Sequence, residues 1–311
     1  MASMLPMIRA RPLLITAAIA TATGTAYYAT QRPLYLDAAG SKPSTKTFSF
    51  PSSMLFARQL TVTNVEQINH DTKRITFSLP GGQNEITGVP AGAAILTQHT
   101  PAGRWFPVLR PYTPVQDPAS KGVLELVVKQ YPNGAASTHM HSLEPGNTLT
   151  VRGPIPGYSW KASTEPRDVL FVAGGAGITP LYSLAHAIVT DETDRTRVNL
   201  LWGVNGTRDI ILKQELEALE KRYPDRLKVT YLVSGPEGKA DAPSLGAADK
   251  FKKGYIDQTV LAESIQRFSS FGDEKGTQVF FCGPPTMQSS ITGKDGVLAK
   301  LGIDKKKTHI F

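Results

Sequence analysis

The stretch DVLFVAGGAGITP, residues 168–180, decides the fold of the second half of this 311-residue chain. It begins as an apolar run of strand length, passes through a glycine-dense turn and opens a segment of helical character. Thr179 can cap that helix, and Pro180 suits its first turn, where a missing N–H would have no partner anyway. Because glycine lets another molecule approach the backbone, Gly174 and Gly175 predict a nucleotide loop. Tight packing of the strand on the helix is the alternative explanation of these glycines.

Strands and helices alternate through the rest of this half. Apolar runs of strand length lie at residues 198–202, 227–233 and 278–282. Helical patterns lie at residues 181–190 and 212–223. Such alternation predicts a parallel sheet with both faces covered, and we assign an α/β domain to residues 164–311. Ligands of such sheets bind outside the carboxyl ends of the strands, so the functional loops are expected there.

The last of these strands ends in CGPPTM, residues 282–287, which repeats the arrangement of strand and loop. This loop and the one at Gly174 are therefore expected to share a crevice, with Cys282 facing the reactive end of a cofactor. A small buried thiol at a strand end is the alternative, since free cysteine is among the most buried residue types. Cys282 is the only cysteine, which excludes an internal disulfide and a multi-cysteine metal site, and no metal site is predicted.

The preceding part, residues 55–163, consists of short β-branched segments punctuated by Gly and Pro, which is the pattern of an antiparallel barrel. Within it, RPYTPV at residues 110–115 must be extended, because each proline fixes its own φ and biases the residue before it. Arg110 can then bond a diphosphate, Tyr112 can lie against an isoalloxazine ring, and Thr113 can address the ring nitrogens. An edge strand with an exposed arginine is the simpler interpretation.

A second anion site is indicated by KQYPNGAAST, residues 129–138. Gly134 permits close backbone approach, and the small residues after it leave the amides and the Ser137 hydroxyl accessible at the start of a helix. A simple loop before a capped helix is the alternative. Together with Arg110, a clamp for a diphosphate is the better interpretation.

The N-terminal segment differs from the rest of the chain. Residues 1–31 contain no acid, and Arg9 and Arg11 precede an apolar run at residues 13–30. This pattern predicts a mitochondrial targeting or membrane-spanning segment; a secretory signal peptide and a cleaved presequence are the alternatives. Residues 32–54, rich in Pro, Ser, Thr and Lys, are interpreted as a linker.

The bulk composition is that of a globular protein, with 41% hydrophobic and 19% charged residues. The net charge of +8 is spread along the chain apart from Lys305–Lys307. Scattered positive charge favours acidic protein partners, anionic cofactors or an anionic membrane surface, and it does not predict nucleic-acid binding. A monomer is expected.

The three motifs RPYTPV, GGAGITP and CGPPTM, in this order and with a barrel followed by a sheet, resemble the ferredoxin-reductase-type flavoprotein superfamily. VVKQYPNG, GPIPGYSW and the arginine-bearing N-terminal segment resemble the NADH-cytochrome b5 reductases of fungal mitochondria. The resemblance extends from about Leu60 to Phe311. It implies an FAD between the domains, an NADH on the second domain, electron transfer to cytochrome b5, and an outer-membrane location.

The resemblance also implies roles for individual residues. The flavin would be held by Arg110, Pro111, Tyr112, Thr113, Val127, Lys129, Gly134 and Ser137. The nicotinamide pocket would be formed by Gly174, Gly175, Thr179, Pro180, Cys282, Gly283, Pro284 and Met287. Thr113 and Cys282 would be the catalytic residues. Asp209 matches an acid that favours NADH by repelling a 2′-phosphate, and an acid after the second strand can accept from a ribose hydroxyl. A helix-capping role is the alternative for Asp209.

Two departures from the family pattern affect rate or donor preference. Ala176 stands where the family usually has threonine, and a frequent histidine is absent from GAAIL, residues 92–96. The insertion at residues 235–253 is interpreted as a solvent loop. Two other functions stay open: a diaphorase that reduces a quinone or another acceptor, and a non-catalytic membrane scaffold that keeps the flavin fold.

Overall fold

The computed structural model describes residues 45–235, 250–268 and 277–311. The predicted targeting segment and the start of the predicted linker lie outside the described residues. Within the described ranges, no helix is both long enough and apolar enough to cross a membrane.

The described part of the first half contains eight strands and two helices. These are β1 (Thr45–Lys46), α1 (Ser52–Leu55), β2 (Arg58–Asn69), β3 (Thr72–Ser78), β4 (Glu85–Ile86), β5 (Ala94–His99), β6 (Val108–Tyr112), β7 (Val123–Lys129), α2 (Ala135–Ser142) and β8 (Thr148–Ile155). Six strands form an antiparallel sheet in the order β6-β5-β8-β2-β3-β7. The N–H of Val115, just past β6, donates to the carbonyl of Glu125 on β7 at 3.0 Å and so joins the two edges of the sheet. The predicted antiparallel strands are confirmed as a six-stranded antiparallel sheet, which we refer to as the barrel.

The folded part begins earlier than expected. Strand β1 pairs with β4, and Phe48 is fully buried in the barrel core. Burial of one phenylalanine side chain contributes about 1.5–3 kcal/mol towards holding this short segment on the barrel. Residues 45–54 therefore belong to the first domain, and the linker prediction was wrong for them.

The second half alternates strands and helices. These are β9 (Arg167–Gly174), α3 (Ile178–Thr190), β10 (Thr196–Val204), α4 (Lys213–Arg222), β11 (Leu227–Val233), β12 (Phe251–Lys253), α5 (Gln258–Phe268), β13 (Gln278–Cys282), α6 (Pro285–Thr292), α7 (Val297–Lys300) and β14 (Thr308–Ile310). All six strands are parallel, in the order β12-β11-β10-β9-β13-β14. Buried clusters lie on both faces, so the predicted parallel sheet is confirmed. The chain turns from one side of β9 to the other at β13, and this switch point is where such folds bind ligands.

The insertion at residues 235–253 is only partly a loop. Phe251–Lys253 form β12, which pairs with β11, and Phe251 stacks on Tyr231 with ring centroids 4.9 Å apart. The prediction was wrong for these three residues. Residues 236–249 lie outside the described part of the chain.

The two domains share a buried apolar cluster. Val115 and Val127 of the barrel domain belong to the same cluster as Ile178 and Leu181 at the start of α3. The contact brings the segment that follows β6 next to the helix that follows the glycine loop. The flavin motif and the nucleotide loop therefore border the same interface.

Candidate active site

The predicted flavin segment is β6, which pairs with β5 so that Arg110 lies opposite Thr97. Side chains alternate along a strand, so Arg110 and Tyr112 point to one face of the sheet, as does His99 on β5. Helix α2 lies on that face, because His139 of α2 stacks on His99 with ring centroids 3.5 Å apart. The arginine therefore faces the side of the sheet on which α2 lies.

The three polar residues of this motif differ in exposure. Arg110 is exposed, Tyr112 is half-buried, and Thr113 is only 8% exposed. Burial, with the nearby Tyr131, raises the pKa of Tyr112 to about 12, so its phenol stays protonated at physiological pH. Val127 is also buried, in the cluster shared with α3. The pattern fits a cofactor whose ring end is enclosed and whose phosphate end is open.

The phosphate loop is held by Ser137. Its hydroxyl accepts from the N–H of Tyr131 at 3.1 Å and donates to the carbonyl of Gly134 at 3.0 Å. A Cβ atom at Gly134 would lie 2.5 Å from that hydroxyl oxygen, so the loop requires glycine there. Ser137 was expected to address a diphosphate directly, and in this structure it fixes the shape of the loop.

The donors of this region fit the diphosphate of FAD. Helix α2 begins at Ala135 with no acid in its first turn, and the first N–H groups of a helix have no intrahelical acceptor. These amides and the Arg110 guanidinium are the two kinds of donor that bind phosphate well. Pro111 contributes by keeping Arg110 extended.

In the second domain, the two predicted loops pack directly on each other. A Cβ atom at Gly174 would lie 2.5 Å from the sulfur of Met287 and 2.8 Å from Pro284, and one at Gly177 would overlap the carbonyl of Cys282. Gly283 also lies against Gly174. The two loops expected from the sequence to border one crevice therefore lie against each other, and backbone contact between them requires glycine at Gly177.

The turn at Gly175 is the open side of this crevice. Gly175 has φ +51°, a Cβ atom there would meet nothing within 4 Å, and its carbonyl accepts from the indole N–H of Trp202 at 3.0 Å. The Thr179 hydroxyl donates to the carbonyl of Ala176 at 3.2 Å, and Pro180 is buried. Hydrogen bonds from Trp202 and Thr179 therefore hold the turn, and the side towards which a Gly175 side chain would point is open, as a nicotinamide would need.

Cys282 is half-buried at the end of β13. Burial raises the pKa of its thiol to about 11, so the thiol is protonated at physiological pH. Burial raises the pKa of Tyr131, the Lys129 charge lowers it, and the Cys282 thiolate, where it forms at high pH, adds to the increase. Tyr131 belongs to the barrel domain, so the two domains approach each other at Cys282. A neutral thiol there can pack against a cofactor and orient it.

Asp209 lies at the domain interface. Its Oδ2 accepts from the N–H of Gly206 at 2.9 Å, its Oδ1 lies 3.5 Å from Nζ of Lys129 and 3.6 Å from Nε2 of His70, and its side chain is 11% exposed. The capping alternative is thus realised together with an interdomain ion pair. In this structure the Lys129 ammonium lies beside two carboxylates, and its place in the flavin clamp stays a prediction.

The ammonium of Lys129 also lies 2.9 Å from Oδ2 of Asp71. Burial lowers the pKa of Lys129, but the hydrogen bond to Asp71 and the charge of Asp209 outweigh it and raise the pKa above its ordinary value. A cluster with the geometry of a cation site is formed by His70, Asp71 and Asp209. The positive charge beside its carboxylates is the Lys129 ammonium. The cluster therefore joins the two domains electrostatically.

Several interface residues could not be found by sequence reasoning. Arg74 of β3 forms an ion pair with Glu215 of α4, and the Asn69 side chain donates to the carbonyl of Arg208 at 2.9 Å. Phe311 lies against Gly92. The partners are far apart in sequence and belong to no motif, so only the packing of the domains reveals them.

An antiparallel flavin barrel joined to a parallel nucleotide sheet through this interface defines a two-domain oxidoreductase that binds FAD and a pyridine nucleotide. Residues 59–160 match the oxidoreductase FAD-binding domain, and residues 171–292 match the oxidoreductase NAD-binding domain. The chain belongs to the NADH-cytochrome b5 reductase family.

The family membership rests on curated relatives. The chain is 38% identical to NADH-cytochrome b5 reductase 2 of Pyricularia oryzae, over 81% of this chain and 75% of that protein. It is 37% identical to the protein of the same name from Aspergillus fumigatus, over 81% of this chain and 76% of that one. The crystal structure of the cytochrome b5 reductase domain of Ulva prolifera nitrate reductase matches with a TM-score of 0.71 at 27% identity, covering 86% of this chain and all of that chain (100%).

Proposed function

We propose that this protein takes reducing equivalents from NADH and passes electrons to a cytochrome b5, the acceptor in the names of its relatives. The observation that carries the proposal is the shared apolar cluster of Val115, Val127 and Ile178, which brings the flavin motif and the nucleotide loop together. When bound, FAD accepts a hydride from NADH and releases its electrons singly, so the protein itself needs no general acid or base.

The side chains then have positioning roles. Arg110 and the first turn of α2 bind the diphosphate, while Tyr112 and Thr113 hold the ring end of the flavin. Gly175 lets the nicotinamide come close, because it carries no side chain and a Cβ atom there would meet nothing within 4 Å. The buried interface excludes water from the transfer.

The acceptor is tested by single-turnover kinetics. Protein reduced anaerobically with one equivalent of NADH is mixed with the soluble heme domain of a cytochrome b5 or with a water-soluble quinone. We expect the heme domain to be reduced at a rate that matches steady-state turnover. Slow reduction of the heme together with fast reduction of the quinone would instead identify a diaphorase.

Donor preference is assigned to Asp209. An acid at the ribose end repels the 2′-phosphate of NADPH, so Asp209→Asn should raise kcat/KM for NADPH about tenfold, equivalent to ~1.4 kcal/mol. The matched control is Asp225→Asn, because Asp225 is an exposed acid at the opposite ends of the strands. This substitution should change kcat/KM for neither NADH nor NADPH. If Asp209→Asn discriminates between NADH and NADPH as strongly as the wild type does, Asp209 does not set donor preference.

Attachment to the outer mitochondrial membrane, as a monomer with a single N-terminal span, is the remaining part of the proposal. It is supported by the acid-free, arginine-led apolar segment at residues 1–31. Mitochondria that contain the full chain are fractionated and extracted with alkaline carbonate. The protein should stay in the membrane pellet of the outer-membrane fraction, and its release would eliminate the anchor.

A further inference from the structure

Large apolar side chains are exposed mainly on one part of the barrel domain. Among the described residues, six of the eight exposed large apolar side chains belong to α1 and its neighbours or to the β5–β6 hairpin, namely Phe50, Leu55, Phe56, Trp105, Phe106 and Leu109. Trp105 is 95% exposed and Phe106 82% exposed, next to each other in the loop that joins β5 to β6. Folded proteins rarely leave two adjacent aromatic side chains so open unless something covers them.

These residues lie on the outer face of the barrel. Leu109 precedes Arg110 on β6 and therefore points away from α2 and the flavin side. Arg152 of β8 donates through Nη1 to the carbonyl of Leu55 at 2.8 Å and through Nε to the side chain of Gln98 at 2.9 Å. Gln98 lies directly opposite Leu109. The end of α1 and the β5–β6 hairpin are thus neighbours, and we call Leu55, Phe56, Trp105, Phe106 and Leu109 the hairpin face.

The two described segments that carry the hairpin face have charges of one sign. Residues 45–65 and 86–116 contain no Asp or Glu, and they include Arg58 and Arg104. Arg104 immediately precedes Trp105 in the exposed loop. Aromatic side chains beside arginine suit the headgroup region of a bilayer, where the ring is half-solvated and the cation meets anionic lipid.

The chain also places this face within reach of a membrane. Residues 31–44 separate the apolar run from Thr45, where the described barrel begins. Fully extended, such a segment spans at most about 50 Å. An anchored barrel domain would therefore stay close to the bilayer surface, with α1 shortly after the tether.

We propose that the hairpin face docks on an anionic bilayer, with Trp105 and Phe106 in the headgroup region. The proposal rests on the membrane location given under Proposed function. Docking through the outer face leaves Arg110 turned away from lipid, because its side chain points to the opposite face of β6 from Leu109. The membrane then orients the enzyme as well as retaining it.

Tryptophan fluorescence tests this proposal directly. The other two tryptophans are tied internally, since Trp202 is fully buried and Trp160 donates to Asp194 at 2.7 Å. Full-length protein with FAD is reconstituted in vesicles of phosphatidylcholine and phosphatidylglycerol with ordinary or brominated acyl chains. The difference in emission between the wild type and Trp105→Phe reports Trp105, and brominated lipid should quench about half of it.

The controls separate this proposal from the anchor. Tyr255→Ala, which removes an aromatic side chain 76% exposed in the second domain, should leave the quenching unchanged. Suppose that the protein resists carbonate extraction, but Trp105 emission is quenched by aqueous iodide and not by brominated lipid. This result overturns the docking and leaves the anchor in place. If carbonate releases the protein, but brominated lipid still quenches Trp105 emission at neutral pH, the anchor is overturned and the docking is not. Shielding of Trp105 by a soluble cytochrome b5 domain, without quenching by lipid, overturns the proposal in favour of a protein partner.

Discussion

At Cys282 the fold keeps a thiol protonated beside the nucleotide crevice. The thiol sits at the end of a buried strand, and removing a thiolate from water is costly, which raises its pKa to about 11. The sequence located this residue through its motif and its place after a strand. Its protonation state depends on how deeply the loops enclose it, which the motif alone does not determine.

The raised pKa of Cys282 predicts its reactivity. Alkylation by iodoacetamide should be slow at pH 7–9 and should accelerate towards pH 11, because the thiolate is the reacting form. Stability follows the same titration. The folded pKa of Cys282 lies above the unfolded value of about 8.5. The contribution of the thiol to the free energy of unfolding is therefore complete below pH ~8.5 and is lost as the pH rises to about 11. Rapid alkylation of the folded protein at pH 7, measured by intact mass, would contradict the buried neutral thiol.

Among the strands and helices, the motifs predicted the two sheets and the loops at their ends. The apolar runs at residues 168–173 and 278–282 became β9 and β13, since an apolar run of this length followed by glycine has few other solutions. Short edge strands were missed, because β1 and β12 have two and three residues and no periodicity of their own. They exist through pairing with partners elsewhere in the chain.

The packing of the two loops predicts a specific sensitivity at Gly177. A methyl group at Gly177 would overlap the carbonyl of Cys282, so Gly177→Ala should separate the loops and cost about 1–3 kcal/mol. Gly203→Ala is the matched control, because its added methyl group would meet its nearest atom at 3.7 Å. Thermal unfolding of both variants checks the difference. Equal melting temperatures would show that the crevice tolerates side chains.

In the whole molecule, the position of one domain on the other was beyond sequence reasoning. Asp209 and Lys129 were both predicted as cofactor residues, but nothing in the sequence links Lys129 to a residue of the other domain. Arg74 and Glu215 show the same limit. Such contacts depend on the surfaces that two finished domains present, and their residues carry no local pattern.

The charge of the whole molecule predicts how it meets its acceptor. With a net charge of +8 and three exposed or half-exposed lysines at Lys305–Lys307, association with an acidic heme protein should be steered electrostatically. The second-order rate of cytochrome b5 reduction should therefore fall about tenfold or more between low ionic strength and 0.5 M salt. Reduction of a neutral quinone serves as the control. A salt-independent rate with the heme protein would rule out steering.

We expect a flavin held at Arg110 to receive hydride at a crevice closed by Cys282. Anaerobic stopped-flow mixing with NADH, followed at the flavin absorbance, tests it in the wild type, Arg110→Ala and Cys282→Ala. The wild type should be yellow and should bleach with one equivalent of NADH. Arg110→Ala should be purified largely without FAD, whereas Cys282→Ala should stay yellow and bleach about ten- to a hundredfold more slowly. A colourless wild type, or an Arg110→Ala variant with full flavin content, would show that no flavin is held at Arg110.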